Sequence, residues 1–158
     1  MKIGVISDTH LREPGDDFKK VIEFYFKDVE MIFHAGDFVD MGVAAYLSSL
    51  KELIAVCGNM DSREIQEAFP RKRIIETKGF KIGLIHGGGP PFGIESRIRG
   101  EFDQVDAIVY GHSHAPANHQ AKGITFFNPG SPTRPYIHRA SLGILRLEER
   151  IEGEIIKI

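Results

Sequence analysis

The chain has 158 residues, a formal net charge of −2, 42% hydrophobic and 27% charged residues, and one cysteine. That length suits one core-bearing domain over 1–158. The charge balance argues against tracking long nucleic acid by its backbone, and the lone Cys57 against a disulfide framework. No apolar run approaches membrane-spanning length, and Met1-Lys2 leads straight into the first run with no room for a signal peptide, so a cytoplasmic protein off the membrane is expected.

Ile3-Gly4-Val5-Ile6 is a short apolar run of the kind that makes a buried strand, and it ends in Asp8-x-His10. Asp17 to Lys27 carries apolar residues at 18, 21, 22 and 25, a helical spacing. Met31-Ile32-Phe33 leads through Gly36 into Asp37. Asp40 reads as the cap of an apolar-periodic stretch that runs to Leu50. Leu53 to Cys57 leads through Gly58 into Asn59, and Cys57 reads as a small buried hydrophobe. Asp61, with Glu64 three residues later, resembles a capping box for a short helix that ends before Pro70. This alternation predicts a parallel sheet with right-handed crossovers.

The second half turns toward hairpins. Arg73 to Thr77 and Phe80 to Ile85 flank Lys78-Gly79, a two-residue hairpin signal. His86 follows directly, and Gly87-Gly88-Gly89-Pro90-Pro91-Phe92-Gly93 lacks the lysine and hydroxyl of a phosphate-binding P-loop. It reads as a connection over a site rim or as a plain irregular turn. Glu95 to Phe102 reads as helix. Ala107-Ile108-Val109-Tyr110 leads through Gly111 into His112-x-His114, and Ile124 to Phe127 reads as a strand. Leu142 to Leu147 and Ile151 to Lys157 flank a charged turn at Glu148-Glu149-Arg150. A parallel half followed by an antiparallel half predicts an α/β fold of two packed mixed β-sheets flanked by helices, a four-layer αββα sandwich.

Five strand-like runs thus end in residues able to bind metal. Ligands of open α/β sheets collect beyond the carboxyl ends of strands. Asp8, His10, Asp37, Asn59, His86, His112 and His114 should therefore converge on one rim. Seven donors exceed the four of a tetrahedral zinc and suit two divalent ions. Asp8 and His10, two apart, should face one way by strand alternation, and so should His112 and His114. Asp37 can bridge two cations. Carboxylate, imidazole and amide donors suit Mn, Ni, Fe, Co or Zn better than Ca or Mg, with manganese the first choice. Such a pair can bind a phosphate and a bridging hydroxide that attacks phosphorus in line. His34 reads as a core histidine, His119 and His138 as loop residues. Arg71-Lys72-Arg73 and Arg97-Ile98-Arg99 are the basic clusters, and each reads as solvated surface.

The succession Asp8-x-His10, Gly36-Asp37, Gly58-Asn59-Met60-Asp61, His86 and Gly111-His112-Ser113-His114 resembles the calcineurin-like metallophosphoesterases over nearly the whole chain. Asn128 to Pro135 looks like the closing loop of their small single-domain, YfcE-type phosphodiesterase branch. The resemblance implies a two-sheet sandwich with helices outside. It implies a first metal on Asp8, His10 and His114, a second on Asn59, His86 and His112, and Asp37 as bridge. Asp37, Asn59, His86 and His112 would serve the catalytic centre. Asp40 matches the second acid of the family's Gly-Asp-x-x-Asp stretch, but Met41 replaces the arginine that commonly follows. Met60 stands where many members have a histidine that can protonate the leaving group or bind phosphate. General acid help is worth about 10²–10⁴-fold. A chain without it should prefer small or activated phosphodiesters. Asp61 is either a replacement acid or, as preferred here, a helix cap.

Substrate contacts are expected from Asn59 and from Arg134, for which surface solvation is an equal reading. A non-catalytic, retromer-scaffold-like protein-binding module is the alternative class, and a nuclease or cyclic-nucleotide phosphodiesterase shares the chemistry. Intact donors at all seven positions favour an enzyme. Whether the chain forms a homo-oligomer stays open.

Overall fold

The computed structural model describes residues 1–158. The elements run β1 (Lys2–Ile6), α1 (Asp16–Tyr25), β2 (Met31–His34), α2 (Met41–Leu50), β3 (Glu52–Ala55), α3 (Arg63–Ala68) and β4 (Lys72–Thr77). They continue β5 (Phe80–Ile85), α4 (Ile94–Arg99), β6 (Ala107–Tyr110), β7 (Ala117–Ala121), β8 (Ile124–Asn128), β9 (Ser141–Leu147) and β10 (Ile151–Lys157). Two five-stranded sheets result, in the orders β10-β9-β1-β2-β3 and β4-β5-β6-β8-β7.

Each sheet is mixed, as expected, but the division into a parallel first half and an antiparallel second half does not hold. In the second sheet β5, β6 and β8 are mutually parallel, and only the edges β4 and β7 run antiparallel. The connection from β5 to β6 passes through α4 on the outer face, which brings β6 back parallel. The hairpin β9–β10 returns to the first sheet, where β9 pairs antiparallel with β1.

Strand alternation builds the layers. In β1, Ile3 and Val5 join Phe33, Val56, Ile82, Leu84, Val109 and Phe127 in the core between the sheets. Ile6 faces the other way, with Phe18, Ile22, Val43, Ala44 and Leu47 of α1 and α2. On the far side, Ile94 and Ile98 of α4 pack with Phe102 on Ile108, Ile124 and Phe126. The order is therefore helix, sheet, sheet, helix. Glycine serves the same purpose on both outer faces. A Cβ on Gly4 would stand 2.9 Å from the Phe26 ring, and one on Gly83 would stand 2.9 Å from the Phe102 ring. β1 and β5 thus each admit one phenylalanine ring against the backbone.

Helix boundaries shift from those read in sequence. α1 starts at Asp16 and ends at Tyr25, with Phe26 as C-cap. The extended backbone of Asp40 precedes α2, and its carboxylate accepts from Met41 N at 2.8 Å, as its reading as a cap requires. α4 stops at Arg99 because Gly100 caps it. No helix is long and apolar enough to cross a membrane.

Candidate metal centre

The carboxyl ends of β1, β2, β5 and β6, and the loop that follows β3, meet at one rim. Backbone bonds splice the first two loops: Asp8 N donates to Gly36 O at 2.9 Å, His10 N to Asp37 O at 3.0 Å, and Leu11 N to Phe38 O at 3.1 Å. Within this frame, Asp8, His10 and His114 place one ligating atom each within 4.8 Å of the others, and so do Asp8, Asp37 and His86. Asn59 and His112 complete the rim, since Asn59 Oδ1 lies 3.2 Å from His86 Nε2 and 2.9 Å from His112 Nδ1. All seven residues expected from the sequence are therefore brought together.

The strand ends converge as expected, but the reason given for the shared facing of Asp8 with His10 and of His112 with His114 does not hold. Residues 8–10 and 112–114 lie beyond their strands, so strand alternation does not aim them. Asp8, His10, Asp37, His112 and His114 all have left-handed backbone, with φ between 45° and 67°. They are five of the nine non-glycine residues in that region. Left-handed backbone is costly for residues with a Cβ, and such outliers persist where the surroundings over-determine them, typically at functional sites. Five at one rim turn a series of strand ends into a ring of inward-facing donors.

Backbone carbonyls fix the imidazole tautomers. His86 Nδ1–H donates to Ala35 O at 2.7 Å, so its Nε2 carries the lone pair, 3.3 Å from Asp37 Oδ2. His114 Nδ1–H donates to Arg134 O, which leaves Nε2 facing Asp8 Oδ1 at 3.3 Å and His10 Nε2 at 3.2 Å. His112 Nε2–H donates to Gly89 O at 2.8 Å, and Nδ1 turns to Asn59. With the rings neutral, lone pairs thus face lone pairs at 2.9–3.3 Å. Ligands about 2.0–2.2 Å from one ion sit roughly 3–3.5 Å apart, and bracing of the far ring nitrogen is how metal-ligating histidines are held. The donor set fits divalent cations.

Charge balance makes the same point. Burial pushes the Asp8 carboxyl above its usual range, against the pull of His86 and His114. For Asp37, burial acts upward too, but its bond to His86 and the His86 charge hold it below the usual range. Burial pushes His86 down, and Asp37 and Asp8 more than offset this, so its pKa is raised. Burial lowers His10, with Asp37 acting against it. Without cations, protons partly balance these carboxylates.

Asp61 overturns its expected role. Ser62, not Asp61, is the N-cap of α3, and its hydroxyl accepts from Ile65 N. The Asp61 carboxylate is buried and accepts from Asp37 N at 3.1 Å, Gly58 N at 2.7 Å and Val39 N at 2.7 Å. Three backbone donors occupy it, so it clamps the loops that carry Asp37 and Asn59. Gly58 is required for the same closeness: a Cβ there would stand 2.2 Å from Asp37 Oδ1.

His34 is the core histidine expected, with a second use. Its Nδ1 accepts from Gly36 N and its Nε2–H reaches Thr9 Oγ1 at 3.2 Å, tying the β1 and β2 loops from below. Burial drives its pKa well below the ordinary value, so it stays neutral. Cys57 is buried, and burial raises its thiol pKa, consistent with its reading as a hydrophobe. His119 lies in β7, not in a loop. It stacks on Phe126 and meets Glu95 at 2.9 Å, which also takes the Tyr110 hydroxyl. Arg134 is exposed and gives the site its backbone carbonyl. The sequence reading passed over Ser7, whose hydroxyl lies 2.7 Å from Asp8 Oδ2, and Ser131, whose hydroxyl donates to Asp8 O at 2.7 Å. Ser7 leaves only a small hydroxyl beside a ligand residue, and Ser131 only its place in the closing loop from Asn128 to Pro135.

A two-sheet α/β sandwich whose strand ends gather carboxylates and imidazoles with braced tautomers defines a protein built to hold divalent cations. Residues 1–150 match the calcineurin-like phosphoesterase superfamily domain, and the chain belongs to that family. A probable metallophosphoesterase of Methanothermobacter thermautotrophicus is 37% identical, over 99% of this chain and 92% of its own. A phosphodiesterase of Methanocaldococcus jannaschii is 30% identical over 99% of each chain. Among solved structures, an archaeal phosphodiesterase superposes with a TM-score of 0.78 at 26% identity over the whole of both chains. A zinc complex of Vps29 from Entamoeba histolytica has a TM-score of 0.75 at 20% identity over 99% of each, a likeness of fold alone.

Proposed function

We propose that this protein is a cytoplasmic phosphodiesterase with two divalent metal ions, manganese the first choice, acting on small or activated phosphodiesters. The observation that carries the reading is Asp37 Oδ2, which lies 3.6 Å from His10 Nε2 on one side and 3.3 Å from His86 Nε2 on the other. Asp37 so placed would be shared between two cation positions; Asp8, His10 and His114 would hold one, and Asn59, His86 and His112 the other. Such a pair, when bound, supplies water acidic enough to attack near neutral pH and positive charge for the phosphate oxygens.

The chain's own residues do the rest. Ala35 O and Arg134 O hold the far ring nitrogens of His86 and His114 and so turn the near ones toward the centre, where they would meet a cation. Asp61 and the Met60 backbone N–H, which donates to Asp37 Oδ1 at 2.8 Å, hold the bridging carboxylate in place. Asn59 and Arg134 would contact the substrate. Met60 is 57% exposed and cannot transfer a proton. The leaving group then departs without general acid help, which favours aryl and other activated diesters. Donors at all seven positions support turnover over a purely protein-binding role, and the net charge of −2 supports small substrates over long nucleic acid.

The test is hydrolysis of bis-p-nitrophenyl phosphate by chelator-stripped protein with and without Mn²⁺, beside the monoester p-nitrophenyl phosphate. Manganese-dependent cleavage favouring the diester is expected. A monoester preference would remove the Met60 argument, and a folded protein inert with every divalent metal would return weight to the scaffold alternative.

A further inference from the structure

The two basic clusters of the sequence meet in space. A cleft of about 650 Å³ opens beside the metal centre, lined by Asn59 and His86 of that centre and by Arg71, Lys72 and Arg97. That volume lies within the range of small-molecule sites. Glu101 is the one acid in its lining against three cations. The cations are not equivalent. Lys72 is held by Glu101, with Nζ 2.9 Å from Oε2. Arg97 braces the glycine-rich loop by donating to the carbonyls of Gly88, Pro90 and Phe92. Arg71 pairs with no carboxylate. Its backbone is pinned at the cleft by Cys57 N, which donates to Pro70 O at 3.0 Å, two residues before Asn59. Its guanidinium keeps its donors free, and a planar fork of donors suits a phosphate group.

We infer that this cleft takes one organic arm of the substrate and that Arg71 grips a second phosphate on that arm, as a nucleoside bisphosphate would present it. The inference rests on the phosphodiesterase reading of the adjoining centre. The scissile diester sits at the rim by Asn59 and His86, and the arm runs along the cleft toward Arg71. Lys72 and Arg97 contribute positive potential while their own partners keep them in place.

Two esters with the same leaving group test it: thymidine 5′-(p-nitrophenyl phosphate), and the same compound with a 3′-phosphate. In the native manganese-loaded protein the 3′-phosphate should raise kcat/KM about tenfold, the scale of one charge-assisted hydrogen bond. Arg71→Ala should bring the ratio between the two esters to near unity, and Arg71→Lys should keep part of it. Because the readout is a ratio, a general loss of activity cancels. An unchanged ratio in Arg71→Ala, or no preference in the native protein, overturns the proposal. A second arm separates this from failure of the diesterase reading. Calorimetric binding of thymidine 3′,5′-bisphosphate against thymidine 5′-monophosphate needs no turnover. Tighter bisphosphate binding lost in Arg71→Ala upholds the subsite even if neither ester is cleaved, and equal affinities overturn it.

Discussion

The two halves of the centre are built differently. Around Asp8, everything is enclosed: Asp8 and His114 are buried, Ser7 and Ser131 hold the aspartate loop, and Arg134 O fixes the His114 proton. Around Asn59, the half is open on one side: His86 is buried, but Asn59 is exposed, His112 is half-exposed and tied to the glycine-rich loop, and the cleft begins there. The enclosed half is suited to retain a cation. The open half has a neutral amide oxygen in place of a carboxylate and so offers weaker attraction with room for substrate. Asp37 joins them, so its effects reach both.

Asp37→Ala should break the comparison outright. With the shared oxygen gone, both positions should empty, and turnover should fall by ~10³-fold or more. Elemental analysis after dialysis checks this, and one tightly held equivalent would show that the halves do not depend on each other. Asp61→Asn comes next. It places an amide donor against backbone N–H groups, at a cost of about 1–3 kcal/mol, and should weaken metal binding ~10–100-fold. Loss of α3 helicity by circular dichroism with metal affinity intact would revive the helix-cap role. Asn59→Ala should separate the halves, weakening the second equivalent about tenfold while the first is kept.

The smallest effect is one of pH. His86, with its raised pKa, stabilises the metal-free protein fully below its unfolded pKa, and this contribution is lost as pH rises through the folded value. Asp37, with its lowered pKa, contributes above its unfolded pKa and loses that contribution as pH falls through the folded value. His10 and His34, with lowered pKa values, oppose folding only below the ordinary histidine range, so above that range the His86 loss stands alone among the histidines and the metal-free Tm should fall by a few degrees as pH rises. A bound cation replaces the His86 proton, so the loaded protein should show no such fall. Parallel Tm–pH profiles for the two forms would contradict this.

Much of the centre was legible because each apolar run ends in a donor residue, and a sheet brings its strand ends together whatever the loops do. What was not legible lies in the loops. Nothing in Asp8-x-His10 signals left-handed backbone at both residues. Asp61 and Ser62 are both good caps beside Glu64, and only tertiary contact gives Asp61 to the Asp37 loop. β7 was missed because its run, Ala117-Asn118-His119-Gln120-Ala121, is polar, as an edge strand paired on one side can be. The parallel order of β5, β6 and β8 was hidden by the hairpin signals that flank it. The basic clusters read as surface since their meeting at one cleft depends on the α4 crossover.

The central claim is two unequal cation positions sharing Asp37. Calorimetric titration of chelator-stripped protein with Mn²⁺ tests it most directly. Two equivalents should bind, one clearly tighter, with only the weaker affected by Asn59→Ala. A single equivalent, or two of equal affinity that Asn59→Ala weakens alike, would contradict it.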